Sequence, residues 1–259
     1  MEYKSLVLKM ENGIATVTMN RPDKMNSVDQ GMCADLVQAT ERLSRDEDVR
    51  VVILTGSGRA FCAGGDLSSP IYDIKDPREL EKIVLLFGQV SLNLRNMLKP
   101  VIAMINGAAV GAGFSFALAC DMRICSDKAK LGHVYMNIGV QSDAGSAYFL
   151  PRLVGTAKAC ELVFTGNIID AAEAEKIGLV NRVVPSDELE SETLKLASHL
   201  ANRASFALGV AKKTIYQGLT MDLASAIEFE ARAHTLAMLS DDMTEGIAAF
   251  NEKRPPKFD

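Results

Sequence analysis

The residue patterns best suited to chemistry are two glycine-rich stretches. Gly111-Ala112-Gly113 directly precedes Phe114 to Cys120, a run small and apolar enough to form a tightly packed helix. A glycine turn feeding a helix presents unpaired backbone N–H groups where the helix dipole favours negative charge, so it suits a short-lived anion. The second stretch, Gly56 to Leu67, contains Ala63-Gly64-Gly65-Asp66 and follows an apolar, β-branched run. Phe61 occupies the third glycine's place in a dinucleotide fingerprint, and no GK[ST] ending makes the stretch a P-loop. Two such turns, each following an apolar strand, point to two backbone donors converging on one oxygen. The plainer alternatives are that the first glycines only permit close helix packing and that the second stretch is a loose surface loop. Phe61 and Cys62 fit a surface loop poorly.

Other reactive residues are sparse. Among the three histidines, His199 and His234 fall in helical patterns, and no group of His, Cys, Asp or Glu has metal-ligand spacing, so no metal is expected. No serine sits in a nucleophile-elbow context. The five cysteines form no CxxC pair, which suggests reduced thiols and a cytoplasmic protein. Met1-Glu2-Tyr3-Lys4 lacks the basic region and apolar run of a signal peptide. A net charge of −5 gives no general field for nucleic acid, so an anionic ligand must be held by local Lys, Arg and backbone N–H groups. Val101 to Cys120 carries no charge over a length that mimics a membrane span, but Asn106 and its glycines argue for a turn, and no membrane partner is expected.

The elements that must position these turns alternate between strand and helix. Strands are expected at Ile14–Met19 after the Asn12-Gly13 turn, at 49–54, at Val101–Ile105, at 122–125 and at 180–184. Helices are expected from a Ser27 or Asp29 cap to about Leu43, from Pro77 to about Met97, over 114–120, 143–150 and 171–177, and from Asp187 to Ala204. The alternation argues for an α/β fold with much parallel pairing. At 259 residues the chain can bury one large core with a small appendage. After Arg203 the pattern is wholly helical, which divides the chain into a core, 1–203, and a helical region, 204–259.

Several motifs together resemble one family. Ala63-Gly64-Gly65-Asp66 after Ala60-Phe61, then Ile105-Asn106-Gly107 and Gly111-Ala112-Gly113, are similar to the crotonase (enoyl-CoA hydratase/isomerase) superfamily. Asn20-Arg21-Pro22 with Lys24 and Asn26 resembles its first-strand signature. Phe164-Thr165-Gly166 with Ala171, Gly178-Leu179-Val180, and Phe250 to Pro255 follow in the family's order, so the likeness spans nearly the whole chain.

The resemblance implies a spiral of ββα units, a C-terminal helical region that builds homotrimers or hexamers, and an acyl-CoA substrate with no separate cofactor. By family pattern, the backbone N–H groups of Gly65 and Ala112 form an oxyanion hole for the thioester oxygen, each commonly worth ~3–4 kcal/mol in the transition state. The backbone around Ala63, Gly65, Asp66 and Leu67 meets the adenine of CoA. Lys24 lies near its phosphates, and Lys253 reaches CoA from a neighbouring subunit, unless both lysines are simply solvated surface.

The departures from the family pattern are informative. Hydratases of the family carry two glutamates, and those positions here read Ser115 and Tyr135. Neither supplies the basicity of a carboxylate at neutral pH. One carboxylate, Asp143, matches the position where several family isomerases, including 3,2-enoyl-CoA and ring-epoxyphenylacetyl-CoA isomerases, keep a single acid–base group. Benzoyl-CoA dehalogenases place a nucleophilic Asp there too. The alternative is that Ser142 or Asp143 merely caps the next helix. His133 is a proton relay or a structural hydrogen-bonding residue, and Tyr135 a donor to an enolate or a wall of the acyl pocket. The expected function is therefore enoyl-CoA isomerisation. The alternatives are a hydratase or dehalogenase-like enzyme using Asp143 differently, or a non-catalytic crotonase-fold binder.

Overall fold

The computed structural model describes residues 3–258. The chain opens with an antiparallel pair, β1 (Leu6–Glu11) and β2 (Ile14–Met19), joined by Asn12 and Gly13, both in the left-handed region (φ 52° and 75°). Helix α1 (Gln30–Arg45) is capped by Asp29, whose carboxylate accepts from the Met32 N–H at 2.8 Å. Strands β3 (Val51–Gly56) and β4 (Ala60–Cys62) precede α2 (Pro77–Asn96), which has Asp76 as its cap and proline at its first position. Next come β5 (Val101–Ile105), β6 (Ala108–Val110) and α3 (Ala112–Ala119). Then follow β7 (Met122–Ser126), β8 (Lys130–Gly132), α4 (Ser146–Val154) and α5 (Thr156–Thr165). The core closes with β9 (Ile168–Asp170), α6 (Ala171–Lys176), β10 (Arg182–Val184) and α7 (Leu189–Ala201). After α7 the described residues form α8 (Ser205–Gly218), α9 (Leu223–Met238) and α10 (Asp241–Glu252).

Two sheets result. The larger has the order β1-β2-β3-β5-β7-β10 and is parallel beyond its first pair. The smaller, β4-β6-β8-β9, is parallel except at β8–β9. Successive units thus place one strand in each sheet: β3 then β4, β5 then β6, β7 then β8. This is the ββα spiral of the crotonase fold. Every residue of β3 is buried, because Val52 and Leu54 face the main core while Val51 and Ile53 face the layer covered by α7.

The short strands of the smaller sheet lie outside the sequence expectation, as do β1 and α5. Three residues carry no readable alternation, and β1 is a mostly exposed edge. The helix expected from Asp143 instead begins at Ser146.

Helix α3 is buried on every side, and its glycines divide the two readings offered for them. Gly111 (φ 55°) makes the turn, whereas Gly113 provides clearance: a methyl group there would lie 2.3 Å from the Cys62 carbonyl oxygen. Gly113 thus holds α3 against β4. Among the described residues no helix is long and apolar enough to cross a membrane.

Helix α8 is fastened to the core by charge. Lys212 Nζ lies 2.7 Å from Asp121 and donates to the carbonyls of Leu94 and Lys99, while the Tyr216 hydroxyl also donates to Asp121. Helix α9 has no buried residue, and Leu223, Ile227 and Met238 are 77%, 55% and 52% exposed.

Candidate active site

The two glycine turns leave neighbouring parallel strands. β4 runs into Ala63-Gly64-Gly65, β6 runs into Gly111-Ala112, and the two strands pair directly. Adjacent strands lie about 4.8 Å apart, so their ends present their loops side by side. Gly64 (φ 94°) sits against the second turn: a methyl group on it would lie 3.2 Å from the Val110 carbonyl and 3.7 Å from the Ala112 nitrogen. Asn26 and Asn106 hold the start of β4, both side-chain amides donating to the Ala60 carbonyl, and Asn106 also donates to Gly56 at the end of β3. Ala112 is the first residue of α3, so its N–H has no acceptor within the helix. No backbone acceptor for the Gly65 N–H occurs among the described residues.

The third parallel strand, β8, delivers His133 and Tyr135. Tyr135 is buried, and its hydroxyl donates to Asp143 Oδ1 at 2.6 Å while standing 3.1 Å from Ser115 Oγ. Ser115, Tyr135 and Asp143 therefore form one hydrogen-bonded chain. Asp143 is no helix cap: α4 starts after Gly145 without a side-chain cap. Ala144 (φ 50°) and Gly145 (φ 80°) both adopt the left-handed conformation, a strained turn for alanine that separates Asp143 from the helix. Burial raises the Asp143 carboxyl above its ordinary range, partly offset by the Tyr135 hydrogen bond. Burial, with the Asp143 charge beside it, raises the Tyr135 phenol as well, so it remains a donor.

These groups meet at one cavity of ≈ 540 Å³, bordered by Gly65, Ala112, Tyr135 and Asp143, with Phe87 and Val140 among its apolar walls. Ala63, Asp66 and Leu67 border it too. A second cavity of ≈ 700 Å³ shares Asp66 and Ser69 with the first and is bordered by Arg21, Lys24 and Lys82. Asp66 accepts from Ser68, Lys24 and Arg21, and together these bonds hold its carboxyl well below the usual range despite burial.

Two expected site residues stand apart. His133 borders neither cavity; it is buried behind Tyr135, ring centroids 5.0 Å apart, with Nε2 3.2 Å from Ser146 Oγ. Burial lowers its pKa, so it is held neutral. Lys253 ends α10 in an exposed left-handed cap and borders neither cavity of this chain. Tyr72, which no motif singles out, reaches the main cavity from the turn at Pro70–Asp73, and nothing in the sequence pairs Ser115 with Tyr135.

The sequence profile of the enoyl-CoA hydratase/isomerase family matches residues 9–259. The chain belongs to the enoyl-CoA hydratase/isomerase family. It is thus a crotonase-superfamily enzyme by descent. It is 36% identical to the 1,2-epoxyphenylacetyl-CoA isomerase of Escherichia coli strain K12, with 96% of each chain covered. The short-chain-enoyl-CoA hydratase of Clostridium acetobutylicum is 35% identical, over 98% of this chain and 97% of that one. The crystal structure of an enoyl-CoA hydratase from Bacillus anthracis superimposes with a TM-score of 0.94 at 33% identity, covering 98% and 99% of the two chains. Family membership is therefore shared with relatives named for two different reactions.

Proposed function

We propose that this enzyme is an enoyl-CoA isomerase, moving a double bond by proton transfer through a thioester enolate held by the Gly65 and Ala112 N–H groups. The observation carrying this reading is the state of the carboxylates on the main cavity wall. Asp29 and Asp66 are both paired with Arg21, and Asp66 with Lys24 as well. Asp143 has no cationic partner among the described residues and is partly buried beside Tyr135, and the desolvation there raises its pKa. A lone carboxylate with a raised pKa suits removal and return of a proton. It takes the α-proton of a 3-enoyl thioester as an electron pair moves onto the carbonyl oxygen. The resulting carboxylic acid then protonates the γ-carbon, leaving the 2-ene. The hydrogen-bonded Ser115 and Tyr135 stand where a hydratase keeps its two glutamates, and neither replaces their basicity. In this reading CoA belongs to the substrate, its nucleotide lies towards the second cavity near Lys24, and the enzyme is cytoplasmic.

The deciding comparison presents a 3-enoyl-CoA and a 2-enoyl-CoA under one set of conditions. Isomerisation of the first without comparable water addition to the second supports the proposal. Rapid hydration of the 2-ene would favour the hydratase reading suggested by the relatives of that name.

The acid limb of kcat/KM should lie above the ordinary aspartate range, because the base must be ionised and burial raises its pKa. Tyr135→Phe removes the hydrogen bond that lowers that pKa, so the limb should move to still higher pH. A limb that stays in place or moves down would contradict the assignment of Asp143 as the base.

We also infer that the exposed apolar residues of α9 are covered in a homotrimer or a hexamer built from it. Light scattering should report three or six subunits; a monomer at micromolar concentration would refute this.

A further inference from the structure

The hydroxyl of Tyr72 occupies an unusual place. It lies 3.0 Å from where a methyl group on Gly65 would be, so the hydroxyl packs closely over the bare α-carbon of Gly65. Tyr72 borders the same cavity as Gly65, Ala112 and Asp143. Its ring is half-exposed, and among the described residues its hydroxyl has no hydrogen-bond partner. The other phenol on this wall, Tyr135, is already engaged by Asp143 and Ser115.

The turn carrying Tyr72 is tied to the first glycine turn. Asp66, the residue after Gly65, receives the Ser69 N–H on its carbonyl at 2.8 Å, and its carboxylate is anchored by Arg21, Lys24 and Ser68. Ser69 then caps the short helical turn Pro70–Asp73, with proline at its first position. Anchoring Asp66 therefore fixes both the Gly65 donor and the turn that carries the Tyr72 hydroxyl to the side-chain face of Gly65. Burial and the nearby charges of Asp143 and Asp66 raise the Tyr72 pKa, so the phenol keeps its proton throughout the neutral range.

We infer that Tyr72 is a third donor of the oxyanion pocket, its hydroxyl joining the Gly65 and Ala112 N–H groups on the thioester oxygen as negative charge develops there. The assignment rests on the thioester reading above and deepens it. A neutral O–H held in place before reaction stabilises charge without reorganising and without competing with Asp143 for the proton. It would also make the turn at Pro70–Asp73 part of the catalytic machinery rather than only a wall of the acyl slot.

The test uses the full-length protein, its Tyr72→Phe variant and Asp143→Asn, with butanoyl-CoA carrying carbon-13 at the thioester carbonyl. Infrared difference spectra of the bound ligand read polarisation of that carbonyl and report only on folded, ligand-occupied protein. The wild type and Asp143→Asn should show the same shift to lower frequency, and Tyr72→Phe a smaller one. With a 3-enoyl-CoA substrate, Tyr72→Phe should lose on the order of tenfold to a hundredfold in kcat, with KM changed by about threefold or less. An unchanged carbonyl shift in Tyr72→Phe, alongside a clear shift in the wild type, would overturn the Tyr72 assignment and leave the thioester reading standing. Failure of butanoyl-CoA to bind the wild type, or binding without any shift, would overturn the thioester reading and the Tyr72 role together.

Discussion

Asp143→Asn is expected to lower isomerisation by about a hundredfold or more while leaving acyl-CoA affinity within a few-fold of the wild type. The amide keeps the size of the carboxyl and can still accept from the Tyr135 hydroxyl, so the cavity should retain its shape. It cannot take the α-proton, and no other unpaired carboxylate borders the cavity among the described residues. A second signature follows from one group serving both carbons. Label removed from the α-carbon should appear in part at the γ-carbon, because the bound acyl chain shields the partly buried acid from water between the two transfers. Single-turnover kinetics with an α-deuterated 3-enoyl-CoA measure both quantities. Full activity in Asp143→Asn, or complete exchange with solvent together with undiminished turnover in the variant, would assign the chemistry elsewhere.

Lys212→Met should destabilise the fold by about 3–5 kcal/mol, the usual consequence of removing one partner of a buried ion pair. Lys212 and Asp121 are 8% and 12% exposed at the side chain, and the ammonium makes two further hydrogen bonds to backbone carbonyls. Burial lowers the Lys212 pKa in spite of Asp121, so desolvation outweighs attraction even with the pair intact. Losing the lysine leaves the largely buried Asp121 carboxylate with, among the described residues, donors only from the Val101 N–H and the Tyr216 hydroxyl. The double variant Asp121→Asn with Lys212→Met should recover part of the loss. Urea unfolding midpoints measure each step, and a loss below about 1 kcal/mol for the single variant would show that α8 is not held by this pair. The pair also bears on how the chain divides. The wholly helical region that begins after Arg203 is joined to the core at α8 by charge.

The long elements were legible because each has its own periodicity. Asp29 caps α1 as its position suggests, and β3 and β5 read as continuous apolar runs because both of their faces are covered. The smaller sheet was not legible. Strands β4, β6 and β8 have three residues each, and they exist because neighbouring turns of the spiral supply their partners. Tyr72 stayed hidden for a related reason, since nothing local to Pro70–Asp73 states that its phenol will meet Gly65.

The family and the inventory are readable from the residues alone: the motifs around Gly65 and Ala112, the absence of glutamate at Ser115 and Tyr135, and a spare carboxylate at Asp143. Residue identity and order carry that information without any coordinates. Which of these residues act on one another emerges only once the chain is folded. It joins Ser115, Tyr135 and Asp143 into a single hydrogen-bonded chain, neutralises Asp66 with Arg21 and Lys24, and sets His133 behind the cavity wall rather than on it. The physical reason is that the site forms where three short parallel strands end side by side. Pairing between strands far apart in sequence, about 4.8 Å from one neighbour to the next, brings their loops together, and no local pattern encodes that spacing.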